Sequence, residues 1–294
     1  MVIKREYLVV FSIILITIAL VVFSEFMYTK SIQTRGKKIL DSIHKDFKIE
    51  DKNLLTIPKY YINLNRSRDR RERLEKQFNH YNMTNYKRIE AYDGKDIIDI
   101  KKGKLRDVKY INEYSMTEFQ LAITIGHLVA IRNAYNNGDN NAIIFEDDID
   151  FSLYPLWKKT FTEILDDIPK STEILQLIST KKTDDINFDI EKRPSNKPGD
   201  FGCSGAYLIT RKGMEKIMNN FFQDDSTIIF RKSLKLKSPC FDIGIFDFMK
   251  TYHINCNLFL MYNFVDEKNT YNGNKIQRLV ERDYQTLKYL TDSK

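Results

Sequence analysis

Cysteine and histidine are scarce in this 294-residue chain, which has three cysteines and four histidines. The cysteines, Cys203, Cys240 and Cys256, are odd in number and form no C-x-x-C pair, so the sequence predicts neither a zinc site nor a disulfide framework. A single disulfide bridge is the alternative if the domain lies in an oxidising compartment. No two histidines stand at short spacing, which argues against a metal-dependent hydrolase built on several histidine ligands.

The chain also lacks a long block of Lys and Arg with interleaved aromatic residues, so nucleic-acid binding is not expected. It has no internal repeat and no low-complexity block. A hydrophobic content of 42% and a charged content of 30% are those of an ordinary globular protein. The formal net charge of +7 favours anionic ligands or membrane surfaces without choosing between them.

The amino terminus carries the one long apolar run, the uncharged stretch from Tyr7 to Phe23. Its length is close to the roughly 17–25 residues that span a bilayer. Lys4 and Arg5 precede it, so the positive-inside tendency places the amino terminus in the cytoplasm. A cleaved signal peptide is the alternative, but no small-residue cleavage site follows. We therefore predict a cytoplasmic tail over 1–6, a membrane anchor over 7–23, a stem over 24–55 and a globular domain over 56–294.

From Ile57 onward, strand and helix patterns alternate, which predicts an α/β sheet. The predicted strands are Lys59–Leu64, Tyr86–Ala91, Ala142–Phe145, Glu173–Ile178, Ala206–Thr210 and Asn257–Phe264. The predicted helices begin at Ser67 or Asp69, at Thr117, after Gly213 and after Asp242.

An acidic turn, Glu146-Asp147-Asp148, follows the apolar strand Ala142–Phe145. Adjacent carboxylates repel one another and stay ionised most easily beside a cation, and Mg²⁺ and Mn²⁺ prefer such oxygen ligands. Ligands of open α/β sheets bind at the carboxyl ends of strands. The alternative is a solvated acidic turn.

Two further segments are candidates for a site. The stretch from Asn65 to Leu74 holds five arginines against one Asp and one Glu where a strand passes into a helix, which favours an anion site. A solvated basic helix start is the alternative. His127 lies in the apolar helix after Thr117, where a histidine is either a satisfied core residue or a ligand.

In this order, the segments resemble the family 25 glycosyltransferases, which include bacterial lipooligosaccharide galactosyltransferases and collagen galactosyltransferases. The family pattern I-N-L-D-R-R-x-D-R-R-E-R is similar to residues 62–73, and A-x-D-G-K is similar to residues 91–95. The family's E-D-D is matched by residues 146–148, and its G-x-x-A-Y-x-I-x-x-x-G by residues 202–213. A late V-D-x-x-L-like element is similar to residues 241–245. The family's T-x-x-E element and its S-H pair before an aliphatic helix are matched only in part. Glu118 follows Thr117 directly instead of three residues later, and Gly126 stands before His127 in place of Ser.

The resemblance implies a GT-A-type, Rossmann-like mixed sheet flanked by helices and an inverting transfer of sugar from a nucleotide diphosphate. It implies a Mn²⁺ or Mg²⁺ ion held by Glu146, Asp147 or Asp148, with Asp148 as first choice, and Asp242 as the base that deprotonates the acceptor hydroxyl. An Asp242 that only caps a helix is the alternative. The resemblance also implies a donor site formed by Asn63, Arg66, Arg70, Asp93 and His127, and His253 is a further candidate metal ligand.

We therefore expect a glycosyltransferase whose acceptor is a hydroxyl of a glycan, a lipooligosaccharide or a protein. The expected donor, UDP-galactose, follows from the resemblance alone. A catalytically inactive, membrane-tethered binding domain and a metal-dependent phosphoester hydrolase are the alternatives. The expected location is that of a single-pass type II membrane protein, in the endoplasmic reticulum or Golgi of a eukaryote, or otherwise in a host or bacterial membrane. Asn65 and Asn82 begin N-glycosylation sequons, and a glycan at Asn65 conflicts with a donor loop there.

Overall fold

The computed structural model describes residues 5–42, 51–181, 185–194, 202–261 and 274–292, without the side chains of residues 5–13, 16, 18, 42 and 274–277. The helices are α1 (Arg5–Ser42), α2 (Lys52–Thr56), α3 (Arg68–His80), α4 (Glu118–Asn136), α5 (Phe161–Asp167), α6 (Arg211–Phe221), α7 (Phe246–Phe248) and α8 (Asn274–Thr291). The strands before residue 151 are β1 (Lys59–Asn63), β2 (Tyr86–Glu90), β3 (Lys102–Leu105), β4 (Val108–Asn112), β5 (Asn141–Glu146) and β6 (Ile149–Asp150). The later strands are β7 (Ile174–Gln176), β8 (Ile190–Lys192), β9 (Ala206–Thr210), β10 (Phe222–Asp224), β11 (Thr227–Phe230), β12 (Thr251–Ile254) and β13 (Leu260–Met261).

A mixed seven-stranded sheet of order β2-β1-β5-β9-β7-β12-β8 forms the centre of the described chain. Strands β1, β2 and β5 run parallel, β9 runs antiparallel to β5 and to β7, and β12 runs parallel to β7. The carboxyl end of β5 therefore meets the amino end of β9. The prediction of an α/β sheet is confirmed.

Neighbouring residues of each central strand pack on opposite faces of this sheet, as the two-residue period of a strand requires. Tyr61, Ile143 and Phe145 belong to one apolar core, and Tyr60 and Ile144 belong to the other. Both faces are thus covered, which explains why β5 is apolar without alternation.

The predicted strand–helix–strand unit at the start of the domain is confirmed. Ser67 occupies the N-cap position of α3, and Leu74 and Phe78 are the buried residues of this helix. Because β1 and β5 pair in parallel, the basic turn between β1 and α3 lies at the same edge of the sheet as the carboxyl end of β5.

Helix α4 lies against β1, β2 and β5. A capping box starts it: the Thr117 side chain accepts from the Gln120 N–H, and the Gln120 side chain accepts from the Thr117 N–H. Most of its residues are buried, as the sequence predicts, because the helix is covered on several sides. It contacts α6 and the turn Gly94–Asp96 as well as the sheet.

Four features of the carboxyl-terminal half differ from the predictions. The strand predicted at Asn257–Phe264 is only Leu260–Met261 within the described residues, and it pairs with β6 outside the central sheet. The last strand of the central sheet in chain order is β12, which the sequence patterns did not indicate. Strand β8 lies in the segment 180–199, whose polar composition and two prolines indicate a loop. Helix α8 was not predicted.

Helix α1 contains the stretch predicted as a membrane anchor, part of whose side chains lies outside the description. Among the described residues, we find no helix with the length and apolarity that crossing a membrane requires. The later part of α1 contacts α8, and Ile32 and Gln33 are buried there. Part of the predicted stem is therefore packed helix, while residues 43–50 of it lie outside the description.

Gly213 offers a test of how closely α6 is packed. A Cβ atom there would stand 2.3 Å from the carbonyl oxygen of Glu173, which is backbone and cannot turn aside. We expect Gly213→Ala to lower the free energy of unfolding by about 1–3 kcal/mol in urea titrations, a typical cost of overpacking.

Gly126→Ala is the matched control, because this glycine is also helical and its Cβ would meet only Ile62 Cγ2, at 3.4 Å. Alanine favours a helix interior over glycine, so this control is expected to be neutral or stabilising. Equal unfolding free energies for the two variants would contradict the close contact at Gly213.

Candidate active site

A cavity of about 530 Å³ opens at the carboxyl end of β5. It is lined by the acidic turn after β5, the first turns of α4, the residues before β9, the turn Cys240–Ile243, and residues of β13 and α8. This position agrees with the rule that open α/β sheets bind ligands at the carboxyl ends of their strands.

The acidic turn divides its three carboxylates between two places. Glu146 and Asp148 line the cavity, whereas Asp147 is buried and faces β1 and α3. Asn63 Nδ2 donates to Asp147 Oδ2 at 2.7 Å, and Arg70 Nη1 donates to its Oδ1 at 3.1 Å. Arg73 Nη2 donates to the Asp147 carbonyl at 2.9 Å. Asp147 therefore ties the turn to the basic segment.

Asp148 has the carboxylate that fits a cation best. Its Oδ1 atom is buried and has no hydrogen-bond partner among the described residues. Burial, followed by the charges of Glu146 and Asp147, raises the pKa of Asp148 to about 7. A buried, negatively charged oxygen without a donor is costly, and a divalent cation is a ligand that removes this cost.

Glu146 is held by two side chains of the core. Ser204 Oγ donates to Glu146 Oε1 at 2.6 Å, and His127 Nε2 lies 3.3 Å from the same atom. His127 is buried, its Nδ1 lies 3.1 Å from the Tyr207 hydroxyl, and its ring stacks on Phe241 at 4.3 Å. An Nε2–H tautomer donates to Glu146 and accepts from Tyr207. His127 thus supports the site from the core.

Asp242 lines the cavity from a π-helical turn, Phe241–Ile245, that continues into α7. The N-cap of this turn is Cys240, and Asp242 lies inside the first turn, so it is not the capping residue. The buried guanidinium of Arg193 donates from Nη2 to the Asp242 carbonyl at 3.0 Å and pairs with Asp247 at 3.3 Å. These contacts hold the Asp242 backbone beside the cavity.

Of the predicted donor residues, only Arg70 is among the residues that line this cavity. Arg70 lines the cavity while pairing with Asp147. Asn63 is buried and contacts Ser67, Asp147 and Arg88. Arg66 and Asp93 form an ion pair with each other, and neither is among the residues that line the cavity.

His253 is not placed to be a metal ligand of this site. It is buried in β12 and is absent from the cavity lining. Burial and the nearby charge of Lys181 lower the pKa of His253 to about 4.

The cysteines and the sequons complete the predicted residues. No disulfide joins Cys203, Cys240 and Cys256, all of which the structure describes. Asn65 and Asn82 are both exposed, and glycosylation at either stays a prediction.

The final helix contributes residues that the sequence patterns did not single out. Leu279, Val280 and Asp283 of α8 line the cavity. Asn257 Nδ2 donates to Asp283 Oδ1 at 2.7 Å, and the buried Arg282 contacts Asn257, Lys181 and Ile254. The helical spacing of Leu279, Val280, Leu287 and Leu290 is a signal that predicts this helix.

Burial raises the pKa of Asp283 from 3.8 to about 7. The folded protein therefore holds a proton on this residue between about pH 4 and pH 7, where the unfolded chain releases it. By linkage, this residue's contribution to stability falls as the pH rises through that window. The measured quantity is the unfolding free energy of the wild type minus that of Asp283→Asn. We expect this difference to fall by up to about 4 kcal/mol between about pH 4 and pH 7.

Urea titrations of the metal-free protein at several pH values measure this difference. Asp292→Asn, which changes an exposed carboxylate directly after α8, is the control and is expected to show no such slope. A flat difference for Asp283→Asn would show that its carboxyl is not desolvated.

No group of three or more His, Cys, Asp and Glu side chains within the described ranges is arranged to hold a metal ion. A metal at the acidic turn thus needs ligands from the substrate as well. Mg²⁺ commonly binds in this way, through one or two carboxylates together with substrate phosphates and water.

A mixed α/β sheet with an acidic cavity at the carboxyl end of a buried strand has the architecture of an α/β protein that binds its ligand at that edge. The chain belongs to glycosyltransferase family 25, described as an LPS biosynthesis protein family, whose model matches residues 56–228. It is therefore a glycosyltransferase. None of the curated proteins compared with it matches. The matched residues include the acidic turn and the basic segment, whereas Asp242 and Asp283 lie beyond them.

Proposed function

We propose that this enzyme transfers a sugar with inversion from a nucleotide diphosphate, galactose from UDP-galactose first among the donors, to a hydroxyl of a glycan, lipooligosaccharide or protein. The transfer depends on Mn²⁺ or Mg²⁺. The observation that carries the proposal is the buried Asp148 Oδ1 at the edge of the cavity, which has no hydrogen-bond partner in the part of the chain that the structure describes. The proposal includes a GT-A-type fold, in which the acidic turn after a central strand receives the donor diphosphate.

The charges around the cavity support a cation. Among the described residues, Glu146, Asp148, Asp242 and Asp283 line it as acids, and Arg70 is the base. Arg70 also pairs with Asp147. A diphosphate brought into such a cavity meets mainly acidic side chains, and a divalent cation held by Glu146 and Asp148 would offset this repulsion.

Glu146 and Asp148 are the proposed protein ligands of this cation. The hydrogen bonds from Ser204 and His127 orient Glu146, and Asp147 fixes the backbone of the turn through Asn63 and Arg70. Asp147 thereby has a positioning role in place of the ligand role first considered. When bound, the cation neutralises the charge that develops on the leaving diphosphate.

Asp242 is the proposed base of the reaction. An inverting transfer needs one group that takes the proton of the acceptor hydroxyl on the face opposite the leaving group. Asp242 reaches the cavity from a different element than the acidic turn, and Arg193 holds its backbone. Apolar residues of the lining, among them Ile243 and Val280, limit the access of water that would otherwise compete with the acceptor.

Arg66, Asp93 and Asn63 are not among the residues that line the cavity, so the role proposed for them is to support the donor site without contacting the donor. The ion pair of Arg66 with Asp93 lies outside the cavity lining, and the role proposed for it is to order the basic turn after β1. The membrane anchor and the endomembrane or bacterial location stay predictions from the sequence.

The test is the hydrolysis of nucleotide sugars by the purified full chain, with and without MnCl₂, over UDP-galactose, UDP-glucose and GDP-mannose. We expect Mn²⁺-dependent release of the nucleotide from one of them, with UDP-galactose first. Binding of a nucleotide sugar without turnover under any condition would instead favour the inactive binding domain. Release of phosphate from simple phosphoesters would favour the hydrolase.

A further inference from the structure

We propose that Arg193 is a positioning residue for the base Asp242, and that it acts through a buried bridge with Gln176. The bridge joins the turn that carries Asp242 to the segment of Ser204, whose hydroxyl donates to the proposed ligand Glu146. This inference rests on the proposed function, because it takes Asp242 as the base and Glu146 as a ligand of the cation. Neither Arg193 nor Gln176 lines the cavity, so each acts on the reaction through other residues.

The first link of this bridge is the guanidinium of Arg193, whose side chain is only 1% exposed. Its Nη2 atom donates to the Asp242 carbonyl at 3.0 Å. Its Nε atom lies 3.3 Å from Oδ1 of Asp247, and its central carbon lies 5.4 Å from the centre of the Phe246 ring. Asp247 and Phe246 belong to α7, which continues the π-helical turn of Asp242. One buried cation therefore contacts this segment at three points.

The second link is the side chain of Gln176, which is buried at the end of β7. Arg193 Nη1 donates to Gln176 Oε1 at 3.1 Å, and Gln176 Nε2 donates to the Cys203 carbonyl at 3.1 Å. Cys203 has a φ of 113°, a backbone conformation that L residues rarely adopt, so the surrounding contacts have to maintain it. Ser204 follows directly and donates to Glu146. The bond from Gln176 thus fixes the segment from which Ser204 reaches Glu146.

The planar guanidinium of Arg193 suits this bridge because it offers several donors in a fixed fork. A lysine keeps the charge, but its single ammonium group does not reproduce the directions of Nη1, Nη2 and Nε together. The base of an inverting transfer has to stand opposite the leaving group, and a displacement of about 1 Å costs up to about 10²-fold in rate. The position of the Asp242 carboxylate relative to the cation site therefore depends on Arg193.

The experiment measures Mn²⁺-dependent nucleotide release by the full chain from whichever of UDP-galactose, UDP-glucose and GDP-mannose the wild type uses. Arg193→Lys removes the fork and keeps the charge. Gln176→Glu keeps an acceptor for Arg193 and removes the donor to the Cys203 carbonyl. Lys192→Met, which changes an exposed cation of β8 next to Arg193, is the control. Each substitution is made in the wild type and in Asp242→Asn.

In the wild-type background, Arg193→Lys and Gln176→Glu are each expected to lower kcat by about 10–10²-fold. KM for the donor and the calorimetric affinity for its nucleoside diphosphate should stay within about threefold, because neither residue lines the cavity. In the Asp242→Asn background, either substitution should lower kcat by less than about twofold, since a residue that acts through the base has no effect once the base is lost. Lys192→Met should match its parent in both backgrounds.

The outcomes separate this inference from the proposed function. A wild type that releases nucleotide from none of the three donors overturns the proposed function and the inference with it. An Asp242→Asn variant as active as the wild type overturns the assignment of the base and, again, the inference.

If Asp242→Asn is impaired, an unchanged kcat in Arg193→Lys overturns the inference alone. A loss that is as large in the Asp242→Asn background as in the wild type also overturns it, because a general effect on the fold is independent of the base. If Arg193→Lys does not fold, as judged by circular dichroism, Gln176→Glu decides by the same two criteria.

Discussion

Asp148→Asn is expected to lower metal-dependent turnover by about 10²–10³-fold, the effect of removing one group that stabilises charge in a transition state. Asp148 presents a buried oxygen without a hydrogen-bond partner among the described residues, so its loss removes the strongest candidate ligand of the cavity. The asparagine side chain has the same shape but offers a neutral oxygen, which binds a hard divalent cation more weakly. The measurement is nucleotide release with Mn²⁺, together with Mn²⁺ binding followed by electron paramagnetic resonance.

The stability of this variant distinguishes a functional role from a structural one. Because burial raises the pKa of Asp148 to about 7, its ionised form is unfavourable in the metal-free protein. Asp148→Asn should therefore unfold in urea no more easily than the wild type at neutral pH. Asp166→Asn, an exposed carboxylate on α5, is the control for both measurements. Full activity of Asp148→Asn, or unchanged Mn²⁺ binding, would exclude Asp148 as a ligand.

Asp242→Asn is expected to lower transfer to the acceptor by about 10²–10⁴-fold, the usual contribution of a general base. The affinity for the nucleotide diphosphate in Mn²⁺ should stay within twofold, because Asp242 reaches the cavity from the π-helical turn rather than from the acidic turn. This separation of turnover from binding distinguishes a base from a metal ligand. The initial rate of transfer and the calorimetric affinity for UDP provide the two readouts.

Asp242→Glu is the matched variant, since it keeps the carboxylate and moves it by one methylene. It is expected to retain more transfer activity than Asp242→Asn. The Cys240 N-cap and the Arg193 contact to the Asp242 carbonyl do not involve the Asp242 side chain, so both variants should fold. Equal activities for the wild type and Asp242→Asn would exclude Asp242 as the base.

The early part of the domain could be read from the sequence because its signals are local. The apolar run of β5, the N-cap of α3 and the capping segment of α4 each lie within a few residues, and each gave an element in the predicted place. The later part depends on distant partners. Strand β12 is four residues long and is a strand because β7 and β8 pair with it on either side.

The candidate site was predictable in its chemistry more than in its geometry. Three adjacent acids predict a charged turn, but a turn can direct successive side chains to different sides. Only the pairing of β1 with β5 brings Asn63 and Arg70 to Asp147 and leaves Glu146 and Asp148 toward the cavity. In the same way, Met261 joins the cavity lining because β13 pairs with β6, a contact across more than a hundred residues of chain.

The sequence by itself determined the class of fold, the family motifs and the order of acidic and basic segments along this chain. Those properties depend on residue type and short spacing, which are present before folding. The tertiary structure decided which carboxylate of the acidic turn is held by arginine and which has an oxygen without a donor among the described residues. It also decided that the final helix forms a wall of the cavity. The placement of these carboxylates and of the final helix follows from strand pairing and helix packing between distant segments. The free energy of those contacts depends on partners far away in the chain, so a local pattern does not predict it.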